Sequence, residues 1–344
     1  MSEFNVGVIG VGKMGLLHAG IFNGLEFSNL SAIAEKNKLL ISVLKQHLPN
    51  VNIYSDYEKM FQKEDLDVAV VTTPVFLHKN MIDNALDYDL NVFVEKPLAL
   101  NGNECESILH KKQNQKTAVG YCRRFMETYE FIKKIIDESI LGDVCTFQSQ
   151  MFVEQVFQQE KGWLYDPEKS GGGVLVDLGS HGINMAQYFF GDIEKVQAVG
   201  KSIFSDKVED HVYLNYTFQT GLIGTLQVSW SIKNYRLPEL KFNIQFEHGS
   251  ATVTEKYVEI YSEIADNVLK QGWNTFYKQD ISEPIPLNIG GPEYTREDLD
   301  FLKCIKNDKE SICNFREASK TNFVIDSVYK SILTEKSEKI KQRV

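Results

Sequence analysis

Long apolar runs are missing from this 344-residue sequence, and none approaches the roughly 20 residues that a membrane-spanning helix needs. The opening residues, MSEFNVGVIG, also lack the basic start and apolar core of a signal peptide. These absences lead to the expectation of a cytosolic protein without a membrane partner. Positive charge is in short supply too: 37 Lys and Arg stand against 47 Asp and Glu, a formal net charge of -10. Such a chain repels a phosphate backbone, and no dense basic stripe overrides that, so nucleic acid is not expected as a partner. Cysteine is sparse. Cys105, Cys122, Cys145, Cys304 and Cys313 contain no CxxC pair, which argues against a disulfide framework or a thiolate zinc site and leaves buried free thiols. There is no internal repeat, low-complexity tract or flexible linker.

What is present is enough apolar content, 43%, and enough length for two domains with substantial cores. From Asn5 to Gly120 short β-branched runs alternate with helical patterns. The strands read as Asn5–Ile9, Leu30–Ala34, Val51–Tyr54, Val68–Thr72, Val92–Glu95 and Thr117–Val119. Helices fall between them, which predicts an α/β fold with a doubly wound parallel sheet over residues 1–121. After Tyr121 the texture changes. A helix near Phe131–Glu138 leads into strand-like CTFQSQMFVEQVF, then strands near Lys195–Val199, Val212–Thr217, Gly224–Ser231, Lys241–Phe246 and Ala251–Val253. That pattern predicts an α+β domain over 122–344 with one large, mostly antiparallel open sheet. Helical stretches at Arg296–Asn307 and Arg316–Glu335 are expected to pack back on either domain.

In VGVIGVGKMG, Gly10, Gly12 and Gly15 have G-x-G-x-x-G spacing between a predicted strand and a predicted helix, with Lys13 and Met14 between the second and third glycines. Gly10 permits a tight turn, Gly12 lets the backbone approach a pyrophosphate, and Gly15 lets the helix lie close to the strand. The helix N-terminus then favours the phosphates. Twenty positions on, Glu35 ends the second strand; its carboxylate suits the adenosine ribose hydroxyls and repels a 2′-phosphate. NAD is therefore the expected cofactor, with Lys36 keeping NADP open. Thr72, Thr73 and Pro74 reach the same sheet edge, where ligands of open α/β sheets sit. His78 follows at the helix start, more suited to supporting that edge than to catalysis.

The next strand delivers Glu95, Lys96 and Pro97 to this edge. Lys96 there is placed to hydrogen-bond a substrate oxygen or exchange a proton with it, and Pro97 fixes the backbone beside it. Further on, Gly171–Gly173 precede an apolar stretch with Asp177 and His181, four apart and hence on one face of a helix. One reading makes His181 a proton acceptor with Asp177 orienting it or binding substrate; the other makes them a buried structural pair. No third ligand suggests a metal. Arg123 and Arg124 suit a substrate carboxylate or phosphate, or equally pair with acidic residues. Trp163, Asn184, Tyr235 and Arg236 complete the expected substrate contacts.

Taken together, GVIGVGKMG, Glu35, TTPVFLH, VEKPLALN, GYCRRF, the W-x-x-D-P-E-x-S-G-G-G stretch at Trp163–Gly173, DLGSHGIN and FREASKTNFVIDSVYKS resemble the Gfo/Idh/MocA family of sugar-active oxidoreductases. The resemblance runs through nearly the whole chain. It implies hydride transfer between nicotinamide and a secondary alcohol or ketone of a sugar, cyclic polyol or sugar nucleotide, with Lys96, Asp177 and His181 at the reacting centre. It also implies a homodimer or homotetramer through the second-domain sheet. Two departures bear on substrate: Cys122 stands where many relatives have Asn, and Asn184 where many have Asp. The alternatives are a sensor that keeps the fold without chemistry, or a reductase of a non-sugar substrate.

Overall fold

The structure, a computed structural model, describes residues 4–155 and 162–341. Val156 and Phe157, at the end of the strand-like stretch after Cys145, lie outside the described residues. The chain divides into two compact units, 4–122 with 284–319 and 123–283 with 320–341.

In the first unit, β1 (Phe4–Ile9), β2 (Ser28–Ala34), β3 (Asn52–Tyr54), β4 (Val68–Val71), β5 (Asn91–Glu95) and β6 (Thr117–Gly120) form a parallel sheet in the order β3-β2-β1-β4-β5-β6. Helices α1 (Lys13–Gly24), α2 (Lys38–His47), α3 (Tyr57–Lys63), α4 (His78–Asp87) and α5 (Gly102–Lys111) alternate with them. A parallel sheet covered on both faces can be apolar throughout its central strands, and Val68 to Val71 and Val92 to Val94 are all fully buried. Successive residues point to opposite faces. Ile9, Ala69, Val71, Val92 and Val94 therefore pack with Met81, Ile82 and Ala85 of α4, while Val8, Val68, Val70 and Phe93 pack with Ile21 and Phe22 of α1 and with Phe301. Strand order reverses between β1 and β4, so the loops after those strands open into the crevice where such folds bind ligands.

The second unit carries β7 (Val144–Phe152), β8 (Ile193–Lys201), β9 (His211–Phe218), β10 (Ile223–Ser229), β11 (Glu239–Phe246), β12 (Gly249–Val253), β13 (Tyr257–Ser262), β14 (Gly272–Tyr277) and β15 (Glu338–Lys339). They form one sheet in the order β14-β13-β12-β11-β7-β10-β9-β8-β15, antiparallel except for the β7/β10 pair. Alternation decides which face is covered. Val212, Leu214, Tyr216 and Phe218 of β9 are buried against a core that includes Phe147, Phe189 and Phe242, while Tyr213 and Asn215 are exposed. Strands β13, β14 and β15 are additions to the sequence reading. The link from β12 to β13, Thr254–Glu255–Lys256, contains none of the Gly, Pro or Asn that mark a turn, and β14 buries only Asn274, so it shows no apolar alternation.

Candidate active site

Three helix starts in the first unit are satisfied by a side chain, with Asn37, Asp56 and Asn101 capping α2, α3 and α5. Helix α1, like α4, has no such cap. Its N-cap is Gly12, with no side-chain cap and no acidic residue in the first turn, so the N–H groups there suit an external anion. Gly10 has φ +83°, a left-handed conformation suited to glycine. A Cβ on Gly15 would lie 2.0 Å from the Gly10 carbonyl oxygen, whereas a Cβ on Gly12 would meet nothing within 4 Å. Glu35, just past β2, accepts from the Val11 N–H at 2.9 Å and the Asn37 N–H at 2.7 Å, which ties its carboxylate to the glycine loop.

The Thr72 hydroxyl donates to the Gly10 carbonyl at 2.6 Å, joining the loops after β1 and β4. Thr73, Pro74 and Val75 carry that loop into α4, where buried His78 lies 2.8 Å from the Thr73 carbonyl and 3.0 Å from the Pro97 carbonyl. Burial lowers its pKa below the ordinary histidine value against the raising effect of the two carbonyls, and the ring stands between the Thr73 loop and the turn after β5. That turn holds half-buried Glu95 and Lys96, with the Lys96 N–H donating to Glu95 Oε2 at 3.1 Å and a cis peptide at Lys96–Pro97. Gly10, Gly12, Lys13, Met14, Gly15, Glu35, Thr72, Thr73, Pro74, Glu95 and Lys96 therefore all stand at or just beyond the carboxyl ends of strands of one sheet, or in the first turn of α1.

In the second unit, Asp177 and His181 share a continuous helical segment, but its first turn, Leu175–Gly179, is wound as a π-helix before Ser180–Phe190 continues as an α-helix. Sequence spacing alone carries no sign of that wider turn. Glu209, beside β9, holds the entrance: its carboxylate accepts from the Gly173 N–H at 3.0 Å, the Leu175 N–H at 3.1 Å and the Tyr329 hydroxyl at 2.9 Å. Burial raises the Glu209 pKa even against those bonds. Gly172 has φ +148°, and a Cβ there would fall 1.8 Å from the Tyr329 hydroxyl; one on Gly173 would fall 2.1 Å from the Glu209 carbonyl. The fully buried Trp230 donates its indole N–H to Asp177 Oδ2 at 3.3 Å and packs on Tyr165. His181 is buried one turn beyond Asp177.

The expected substrate contacts separate into two groups. Arg124 is buried; it donates to Asn184 Oδ1 at 2.7 Å and lies over the Tyr188 ring. Asn184 in turn donates to Thr321. Arg123 pairs with Glu255 at 3.4 Å. Trp163 is 40% exposed, Arg236 is exposed, and Tyr235 packs edge-on against Phe152.

A sequence profile described as an oxidoreductase family with an NAD-binding Rossmann fold matches residues 4–121, and one for the GFO/IDH/MocA C-terminal domain matches residues 129–252. Between them they take in more than half of the chain. It belongs to the Gfo/Idh/MocA family. As a member it is an NAD-binding oxidoreductase. The chain is similar to oxidoreductase P35 of Formosa agariphila, 27% identical over 57% of this chain and 63% of that protein. It is also similar to a levoglucosan dehydrogenase of Pseudarthrobacter phenanthrenivorans, 24% identical over 97% of each. A solved levoglucosan dehydrogenase in complex with NADH and levoglucosan shares the fold, with TM-score 0.89 and 23% identity over 99% of this chain and 100% of that one.

The residues present fit the family's dinucleotide. The open space at Gly12 and the uncapped first turn of α1 suit the pyrophosphate, and Glu35 suits the adenosine ribose. Three residues of this Gfo/Idh/MocA chain escape sequence reasoning: His18, Glu209 and Trp230. Trp230 has a faint signal, since it continues the inward alternation of Leu226 and Val228. His18 lies within an apolar helix face, and Glu209 lies in a loop; nothing in spacing marks either.

Proposed function

We propose that this protein reversibly oxidises a secondary alcohol of a sugar, a cyclic polyol or a sugar nucleotide. The observation that carries the proposal is the Asp177 carboxylate fixed by the Trp230 indole one helical turn before buried His181, an arrangement suited to orienting a general base. The similarity to levoglucosan dehydrogenase supports the substrate class. NAD, when bound, supplies hydride acceptance and donation. The imidazole of His181 takes the hydroxyl proton, Asp177 keeps that ring aligned or bonds the substrate, and the Lys96 ammonium holds the reacting oxygen. Trp163 and Arg236, both exposed, serve as substrate contacts. Arg123, Arg124 and Asn184 are committed to partners of their own and act by shaping the pocket wall. The protein works as a homo-oligomer through the outer face of its nine-stranded sheet.

The test is NAD reduction followed by NADH absorbance, with levoglucosan, myo-inositol, aldoses and sugar nucleotides as substrates. At least one is expected to be turned over. With it, Lys96→Ala should bind NADH as the parent does and lose on the order of a hundredfold or more in kcat, the usual scale for a positioned proton-transfer group. Parental turnover by Lys96→Ala would remove Lys96 from the mechanism.

A further inference from the structure

One cluster in the first unit has no part in the chemistry above. His18, on α1 one turn after Gly15, is fully buried. Its Nδ1 lies 2.9 Å from both carboxylate oxygens of Asp298, in helix Pro292–Lys306, and its Nε2 lies 3.1 Å from Glu95 Oε1. A ring whose two nitrogens both face carboxylates must donate from both, and only the imidazolium has two N–H groups. Burial opposes that charge, but Asp298 and Glu95 outweigh it and hold the His18 pKa well above the ordinary histidine value. The other oxygen of Glu95 accepts the Lys96 N–H. The cofactor helix, the strand end carrying Lys96 and a carboxyl-terminal helix thus meet at one buried cation. Glu297 lies close by with neither carboxyl oxygen hydrogen-bonded among the described residues, and burial drives its pKa well above the usual carboxylate range. A well-packed apolar group in place of such a buried ion pair is often neutral or stabilising, so fixed geometry is the better account of its presence.

We infer that His18 is a positioning residue: by bridging Asp298 and Glu95 it locks the Glu95 carboxylate, and through it the Lys96 turn, against the helix that receives the dinucleotide. This rests on the reading of the β5 edge as the nicotinamide side of the site, yet its test uses NADH binding alone and does not need a turned-over substrate. Failure to find a sugar substrate would bear on the proposed reaction and leave this inference standing.

The experiment is calorimetric titration of the full chain with NADH for the parent, His18→Gln, Glu95→Gln and the double variant, at neutral pH and above pH 8. Either single change is expected to raise the Kd about tenfold, and the double variant should be no worse than the weaker single, since both act through one contact. A merely structural histidine would lower the melting temperature and leave the Kd of the folded protein unchanged; that result, or additive losses, overturns the inference. Should the variants fail to fold, ¹⁵N-histidine spectra of the parent decide. Two N–H signals from His18 persisting above pH 8 support the clamp. A neutral ring overturns it, as does stoichiometric metal held by His18, Glu297 and Asp298, the three buried donors close enough to share an ion.

Discussion

At the residue scale, the glycine loop separates two requirements that its motif merges. Gly15 is needed for packing, because a side chain there would run into the Gly10 carbonyl at 2.0 Å. Gly12 has open space around its missing side chain, so its constraint comes from the ligand. Gly12→Ala is therefore expected to keep the parental melting temperature while raising the NADH Kd by tenfold or more. Gly15→Ala, by contrast, should lose about 1–3 kcal/mol of stability, the ordinary cost of overpacking. Thermal unfolding and NADH titration of both variants check the pair, and a Gly12→Ala protein with parental affinity would show that the dinucleotide does not lie over this glycine. Arg124 likewise has a partner of its own, donating to the neutral Asn184 Oδ1 at 2.7 Å.

At the element scale, the segment with Asp177 and His181 depends on a carboxylate from elsewhere in its unit. Glu209 satisfies N–H groups at the mouth of the π-helical turn that no residue of the helix itself caps. Burial raises the Glu209 pKa more than those bonds lower it, so the folded state binds its proton more tightly than the unfolded chain does. Its contribution to stability is thus full below the unfolded value, about 4.3 for Glu, and declines as pH rises through the folded value. Glu209→Gln should flatten the dependence of melting temperature on pH above the unfolded value of about 4.3. Glu209→Ala, which strands the donors, should cost about 1–3 kcal/mol and most of the turnover. An unchanged pH slope in Glu209→Gln would assign the slope to other buried acids such as Asp298 and Glu297. This dependence also marks where sequence reading stops. The parallel sheet was legible because its central strands are apolar and its glycines precede a helix, and Lys96, Asp177 and His181 stand out by local motif. The pairing of Glu209 with Gly173, or of His18 with Asp298, joins residues 36 and 280 positions apart, and only the folded chain reveals it.

At the scale of the whole molecule, the nine-stranded sheet has one face covered by its own helices and the other open. In-register pairing sets Val199, Tyr213, Gln227 and Gln150 side by side across four strands of that open face, with Val199 64% and Tyr213 53% exposed. Tyr261 and Trp273 pack at a tilt on the same face with ring centroids 5.4 Å apart. Glutamine, asparagine, threonine and tyrosine side chains both donate and accept, so such a surface is complementary to itself, as a two-fold interface requires. A second copy of the chain is the occupant that this chemistry favours. Light scattering at micromolar concentration is expected to give a dimer or tetramer. Tyr213→Lys, which sets a like charge in each apposed copy, should shift the population toward monomer without lowering the melting temperature of the subunit by more than a few degrees. A parent protein that is monomeric throughout that range would leave the open face without its proposed partner. In that case its row of aromatic and amide side chains would have to be explained by contact with something other than this chain.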